Sequence, residues 1–465
     1  MTETRATFGA DLHLDLAGPR IRASLESALR EAVQTGRLHP GTQLPSSRTL
    51  AADLGIARNT VADAYGQLVA EGWLTAVRGS GTRVGERTVA PETPAPGATT
   101  PDRPARYNLQ AGSPDLSAFP RSAWLTAARR AIGSAPNDAF GYGDPRGRPE
   151  LRRALAGYLS RARGVRASAD RIVICSGFTQ ALTLLGQVLA ADGGKTMAIE
   201  AYSHQHHRDI ATAAGLRPTA VPVDDRGAVV GELGDAAAAL LTPAHQFPLG
   251  VPLAADRRTE AVEWAAATSS LIIEDDYDGE FRYDRQAVGA MQALAPEHVV
   301  YGGTASKTLA PALRLAWLVL PARLVDDVAS AKALADRQGG IIDQLTLAQF
   351  IDSGGYDRQV RSRRTAYRRR RDRLVAAVHR HAPDLRIAGV AAGLHALLEL
   401  PHGADEDEVV SRAGARGVAV HGLGSFTAPG TAHRPALVIG YGTPPAHAFT
   451  TAIARLCAAL AESRP

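Results

Sequence analysis

The 465-residue sequence predicts a large α/β domain, with a mostly parallel sheet and a smaller α+β lobe after it, preceded by a small helical domain with a β-wing. Three observations carry this prediction. Short apolar runs alternate with helical stretches over most of the chain, a helix-turn-helix pattern with a basic hairpin lies near the N-terminus, and a proline-rich stretch separates the two.

The small domain, residues 1–85, is read from "PSSRTLAADLGIARNTVADAYGQLVAEGWLTAVRGSGTRV", Pro45 to Val84. Ser46 or Ser47 can cap a helix that carries Arg48 and whose apolar face holds Leu50, Ala51 and Leu54. Gly55 makes a tight turn, and a second helix follows with Val61, Tyr65, Leu68 and Val69 at core spacing. That leaves Arg58, Asn59 and Thr60 on its exposed first turn, where a recognition helix meets the major groove. "WLTAV" and "TRV" read as two strands joined by a wing tipped with Arg78 and Arg83. Residues 1–85 hold nine Arg against eight Asp and Glu, and the whole chain carries a formal charge of +5. The case for DNA therefore rests on where those charges sit, not on their sum.

Residues 86–106, "ERTVAPETPAPGATTPDRPAR", contain five prolines and no apolar periodicity, so they cannot build a core and are read as a linker. From residue 107 to 465, "RIVICSG", "TMAIEA", "ALLTP", "SLIIEDD", "HVVYGG" and "LAWLVLP" look like buried strands separated by helices. Sheets of this kind bind ligands at the carboxyl ends of their strands. From about Gln338 the pattern changes to helices followed by "LHALLEL" and "ALVIGYG", which suits a smaller α+β lobe.

The chemistry is read from a lysine. Only Lys195, Lys307 and Lys332 are lysines among 52 basic residues, and Lys307 lies in "GGTASKTLAPALR", directly after an apolar run. Guanidinium stays protonated, whereas an amine removed from water can lose its proton and attack a carbonyl. "SLIIEDDYDGEFRY" places Asp275 and Tyr277 at the end of the preceding strand, and Thr304, Ser306 and Arg314 flank the lysine. Pyridoxal phosphate needs these groups: an amine for the aldehyde, a carboxylate for the ring nitrogen, a phenol near the ring hydroxyl, and hydroxyl and Arg donors for phosphate.

Residues 45–84 resemble the winged helix-turn-helix of the GntR family in "LPSSRTLAADLG", "RNTVADAYGQL" and "GSGT"; Ala57 stands where that family often has a capping serine. Residues 107–465 resemble the fold-type I aminotransferases. That resemblance implies a Schiff base at Lys307, Asp275 on the pyridine nitrogen, Tyr277 on the ring oxygen, and Arg314, Ser306 and Thr304 on the phosphate. "SGFTQAL" resembles the turn whose Phe178 and Thr179 amides meet the phosphate, and "YGDPRG" the motif whose tyrosine, Tyr142, reaches the partner subunit's phosphate. In "IEAYSHQHH" the ring-stacking position falls on His204, with Tyr202 as the alternative. "TPAHQFPLG" puts His245 and Gln246 near the cofactor, and Arg434 lies near the position of the arginine that grips a substrate carboxylate.

The order of the two halves resembles the MocR subfamily of GntR-type regulators. It implies a bacterial transcription regulator, which the cysteine usage and the lack of an apolar span place in the cytoplasm: a head-to-tail homodimer that binds operator double-stranded DNA and senses pyridoxal phosphate or an amine through an aldimine at Lys307. The competing reading is a working aminotransferase with Lys307 as proton-transfer base; a third is a DNA-binding protein whose larger domain only dimerises.

Other signals are set aside. Cys175 and Cys457 suggest neither a disulfide framework nor a metal site, and no apolar run approaches a membrane span. "GGKT" at Gly193 lacks the first glycine of a phosphate loop, so Lys195 is read as a turn residue. His204, His206 and His207 have no Cys or acidic partner at helical ligand spacing, so no metal is expected. "RQVRSRRTAYRRRRDR", Arg358 to Arg373, is read as a solvated basic helix, with contact to DNA phosphates as the minority view.

Overall fold

The structure, a computed structural model, describes residues 20–77, 81–85, 105–283 and 288–461. The chain divides into two units, Met1–Asp102 and Arg103–Pro465. Among the described residues, no helix is long and apolar enough to cross a membrane. Most of the proposed linker, and Arg78 at the wing tip, lie outside the described residues.

The first unit contains α1 (Ile21–Gln34), α2 (Ser47–Leu54), α3 (Arg58–Ala70) and an antiparallel hairpin of β1 (Leu74–Val77) and β2 (Gly81–Val84). Helix α2 starts where the Thr49 amide donates to Ser46 Oγ at 3.1 Å and stops at Gly55, whose φ of +64° favours glycine. Leu50, Ala51, Leu54, Val61, Tyr65 and Leu68 are buried in one core, with Val69 half-buried beside them. Helix α1, absent from the sequence reading, contributes Leu25, Leu29, Ala32 and Val33 to that core. Arg20 precedes it without a capping side chain, so its start carries no polar signal. Ala57 likewise leaves α3 without a side-chain cap.

The second unit opens with β3 (Tyr107–Asn108), α4 (Arg121–Ser134) and α5 (Pro149–Arg163). There follow β4 (Ile172–Cys175), α6 (Phe178–Ala191), β5 (Thr196–Glu200), α7 (Gln205–Ala213) and β6 (Arg217–Val221). A short hairpin, β7 (Val223–Asp224) and β8 (Gly227–Ala228), leads to β9 (Ala238–Leu241), α8 (Ala255–Thr268), β10 (Leu271–Asp275), β11 (Val299–Thr304) and β12 (Ala316–Val319). Seven of these strands form one sheet in the order β4-β12-β11-β10-β9-β5-β6, and β12 alone runs against the rest. All six strands read from the sequence are present. The seventh, β6, is a half-exposed edge strand with Pro218 in it, which hides it from an apolar-run argument.

After α9 (Val325–Ala335), α10 (Ile341–Asp352) and the long α11 (Gly355–His381), the lobe holds β13 (Arg386–Ala388), β14 (Ala396–Glu399), α12 (Glu406–Ala415), β15 (Val418–Ala419), β16 (His421–Gly422), β17 (Ala436–Ile439) and α13 (Phe449–Ala461). Strands β13, β14, β17 and β16 form an antiparallel sheet, and β15 pairs with β3. The basic helix α11 departs from a purely solvated face. Arg361, Arg368 and Arg369 are exposed, but Arg370 is buried, pairs with Asp115 at 2.6 Å and donates to the Pro444 carbonyl at 2.8 Å. Spacing alone does not show that one arginine of such a run points into the core.

Candidate functional site

Strands β10 and β11 lie side by side with Asp275 opposite Gly302, so the two loops that follow them leave the same edge of the sheet. A cavity of about 240 Å³ opens there. It is lined by nine residues expected from the sequence: Phe178, Thr179, His204, Asp275, Tyr277, Thr304, Ser306, Lys307 and Arg314.

The acidic run that ends β10 separates into distinct tasks because strand side chains alternate and the following loop turns. Glu274 faces away from the cavity and accepts the amides of Met291 and Gln292 at 2.8 and 2.9 Å. Asp275 faces the cavity. Asp276 holds Arg163 through two hydrogen bonds of 2.7 and 3.0 Å and accepts from Tyr301 Oη at 2.8 Å. Asp278 Oδ2 lies 2.8 Å from His245 Nδ1, and Tyr277 Oη lies 3.1 Å from that same nitrogen.

Two titratable groups, Lys307 and Asp275, line this wall. Lys307 Nζ donates to the Gly112 carbonyl, and burial pulls its pKa below the ordinary value despite the opposing pull of Asp275 and Asp278. Burial pushes Asp275 up to about 8, Lys307 countering only in part. A cation placed beside this carboxyl, as a protonated ring nitrogen would be, favours its charged form and pulls the pKa back down.

The other end of the cavity is built for an anion. Helix α6 begins at Gly177 with no side-chain cap, so its first amides are available to a ligand. Gly177 has φ +89°, and a Cβ on it would lie 2.4 Å from Arg314 Nη2. Arg314 itself adopts φ +52° and donates to the Ser176 carbonyl at 2.5 Å. Thr304 Oγ1 and Ser306 Oγ, 2.9 Å apart, add hydroxyls beside it. Amine, carboxyl, phenol and phosphate cradle all face one cavity, and they fit pyridoxal phosphate.

Two expected contacts lie outside the cavity wall. Gln246 is buried behind it, donating to Glu200 Oε2 at 3.2 Å and to the Tyr202 and Phe247 carbonyls at 2.7 Å, and so acts as a strut. Tyr142 is 83% exposed, with the Arg337 guanidinium 4.4 Å from its ring centroid. Arg434 lies in a separate groove with Tyr202, Glu399 and His433. His204 stacks on Phe247 with ring centroids 4.3 Å apart, and burial, more than the nearby cations, lowers its pKa to about 4. His206 is exposed, and the group of ligand-type side chains close enough to share an ion among the described residues is His245, Asp278 and His395.

In the first unit Arg48, Arg58 and Asn59 are exposed and Thr60 is half-buried. Arg83 instead turns onto its own domain, donating to the Gly41 carbonyl at 3.2 Å and to Gln43 Oε1 at 3.1 Å. Sequence reasoning missed Gly112, Glu200, Phe247 and His395 as cavity lining. Glu200 ends an apolar strand, a signal of the same kind as Asp275, and burial lifts its pKa to about 7 while Thr242 donates to it at 2.5 Å. His395 arrives from the lobe, and nothing local in "GLHALLEL" marks it.

Fold and site together define a winged helix-turn-helix head joined to an aminotransferase-type domain. The description "Bacterial regulatory proteins, gntR family" matches residues 21–84, and "Aminotransferase class I and II" matches residues 107–434. The chain belongs to the MocR subfamily of GntR-type transcription regulators. It is 33% identical to the HTH-type pyridoxine biosynthesis transcriptional regulator PdxR of Corynebacterium glutamicum, over 91% of this chain and 92% of that protein. It is 31% identical to the HTH-type transcriptional regulator TauR of Rhodobacter capsulatus, over 95% and 98% of the two chains. Among solved structures, the kynurenine aminotransferase of Pyrococcus horikoshii superposes with a TM-score of 0.69 at 25% identity, covering 77% of this chain and 91% of that one.

Proposed function

We propose that this chain is a pyridoxal phosphate-dependent bacterial transcription regulator whose head binds operator DNA and whose larger domain reads the cofactor, or an amine that exchanges with it. The observation that carries this is the convergence of Lys307, Asp275 and the Gly177–Arg314 cradle on one cavity, in a chain whose other unit is a GntR-type head. Pyridoxal phosphate supplies an aldehyde that amines take up reversibly. The chain's own residues do the rest. Lys307 offers an amine whose pKa burial lowers, Asp275 would meet the ring nitrogen, Tyr277 is oriented by His245, and Arg314 with the α6 amides would hold the phosphate.

Pyridoxal phosphate itself is the preferred signal. The named relative that acts on pyridoxine biosynthesis supports this, and Arg434, the residue nearest the expected carboxylate grip, lies outside the cavity. In this reading the regulator works in the cytoplasm as a homodimer, with residues 86–106 linking a DNA-binding domain of residues 1–85 to the sensor of residues 107–465. Tyr142, left exposed, is then available to the partner's phosphate. A ligand that stabilises one arrangement of the sensor over another shifts how the heads engage DNA by that difference in affinity.

The cofactor half of the proposal is tested by absorbance. Adding pyridoxal phosphate to the purified chain gives a visible band characteristic of a lysine adduct in wild type and none in Lys307→Ala. A band of equal strength in the variant would overturn Lys307 as the attachment point. Sustained turnover with an amino acid and a keto acid would move the aminotransferase reading ahead.

A further inference from the structure

Three consecutive residues after α9 touch both the turn that opens α6 and the loop that carries Tyr142. Asp336 faces the phosphate turn: its Oδ2 accepts from Gln180 Nε2 at 2.8 Å and Ser176 Oγ at 3.4 Å, and its Oδ1 accepts from Lys332 Nζ at 2.6 Å. Ser176 and Gln180 flank Gly177. Gln180 Oε1 accepts the Ser176 amide at 2.7 Å, and the Ser176 carbonyl accepts from Arg314. Asp336 therefore grips both sides of the turn that opens α6.

Arg337 and Gln338 serve the opposite direction. Arg337 has φ +65°, a left-handed conformation that reverses the chain and persists in a non-glycine residue only where the surroundings hold it. Its guanidinium covers the Tyr142 ring. Gln338 brackets the same loop, donating to the Gly141 carbonyl at 3.2 Å and accepting the Gly143 amide. Lys332, one of three lysines in the chain, is 1% exposed, and its buried ammonium is met by Asp336. A buried cation of this kind is costly without its partner, so the pair fixes Asp336 in place.

We propose that residues 336–338 couple the phosphate end of the cofactor site to the loop carrying Tyr142, with Asp336 and Lys332 as positioning residues of the phosphate cradle. The proposal rests on the pyridoxal phosphate reading of the cavity. An anion on the α6 amides fixes Ser176 and Gln180, Asp336 follows them, and the Gly141–Gly143 strip is held through Gln338. The rival account is an ordinary buried ion pair that stabilises the fold and ignores the ligand.

Hydrogen exchange over residues 140–146 of the full chain separates the two, with pyridoxal phosphate, with pyridoxal, and with neither, and with occupancy read independently from the visible band. The coupling predicts that pyridoxal phosphate slows exchange there by roughly tenfold in wild type and that pyridoxal, lacking the phosphate, does not. In Asp336→Asn and Gln338→Ala the slowing disappears at full occupancy. Asp336→Asn also weakens pyridoxal phosphate by about tenfold while leaving pyridoxal affinity unchanged. Slowing retained in both variants, or equal weakening of the two ligands in Asp336→Asn, would overturn the proposal. If wild type takes up neither ligand, the cofactor reading itself falls, and the coupling with it.

Discussion

A Cβ placed on Gly177 would lie 2.4 Å from Nη2 of Arg314, so the turn that opens α6 and the guanidinium beside it leave room for hydrogen alone. The positive φ of Gly177 adds backbone strain to any replacement. Gly177→Ala is expected to push Arg314 out of the cradle and weaken pyridoxal phosphate by roughly tenfold or more in an absorbance titration, since hydrogen bonds to a charged group contribute about 1.5–3 kcal/mol. Operator binding by the cofactor-free chain should be unchanged. Wild-type cofactor affinity in the variant would show that this turn does not hold the phosphate.

Helix α11 offers a paired test of what its arginines do. Arg370 is buried against Asp115 at 2.6 Å, whereas Arg369 beside it is exposed. Arg370→Ala leaves Asp115 buried without its partner and should cost about 3–5 kcal/mol in a denaturant titration. Arg369→Ala should stay within about 0.5 kcal/mol. Equal effects would mean that the buried pair is not structural.

The sequence made much of this legible, and the gaps have physical causes. Strands β4, β5, β9, β10, β11 and β12 are buried on both faces, so each reads as a continuous apolar run, whereas the half-exposed β6 does not. Lys307, Asp275 and Tyr277 were visible because they closely follow such runs, and Arg314 because it stands just before one. Gly112 and His395 were not, because they meet Lys307 and His245 through folding of distant segments and carry no local mark. Arg83 looked like a wing contact, but a guanidinium on a strand can equally satisfy a neighbouring carbonyl, as it does at Gly41.

Glu200 predicts a pH dependence of the cofactor-free chain. Burial holds its carboxyl neutral up to about 7 in the folded state, while an unfolded glutamate ionises near ~4.3. Between those values the folded chain keeps a proton that the unfolded chain has lost. This contribution is therefore full below the unfolded value and declines as pH rises toward 7. Glu200→Gln should show a shallower loss of denaturation midpoint between pH 5 and pH 7 than wild type. Parallel profiles would contradict a protonated Glu200.

Arg58 heads α3 and is exposed at the turn expected to meet DNA. Arg58→Ala should reduce the salt dependence of operator binding by about one unit of slope if it contacts a phosphate, or relax sequence preference at one position by about 1–3 kcal/mol if it reads a base. An unchanged slope with unchanged preference would remove Arg58 from the interface.

The central claim is that one chain joins operator binding to occupancy at Lys307, and fluorescence anisotropy with the chain's own upstream DNA tests it directly. Wild type and Lys307→Ala are titrated with and without pyridoxal phosphate. The account predicts that the cofactor shifts affinity or stoichiometry in wild type and that the variant binds DNA without responding. Specific binding that ignores pyridoxal phosphate in wild type would contradict the cofactor as signal, and absence of specific binding would contradict the regulator itself.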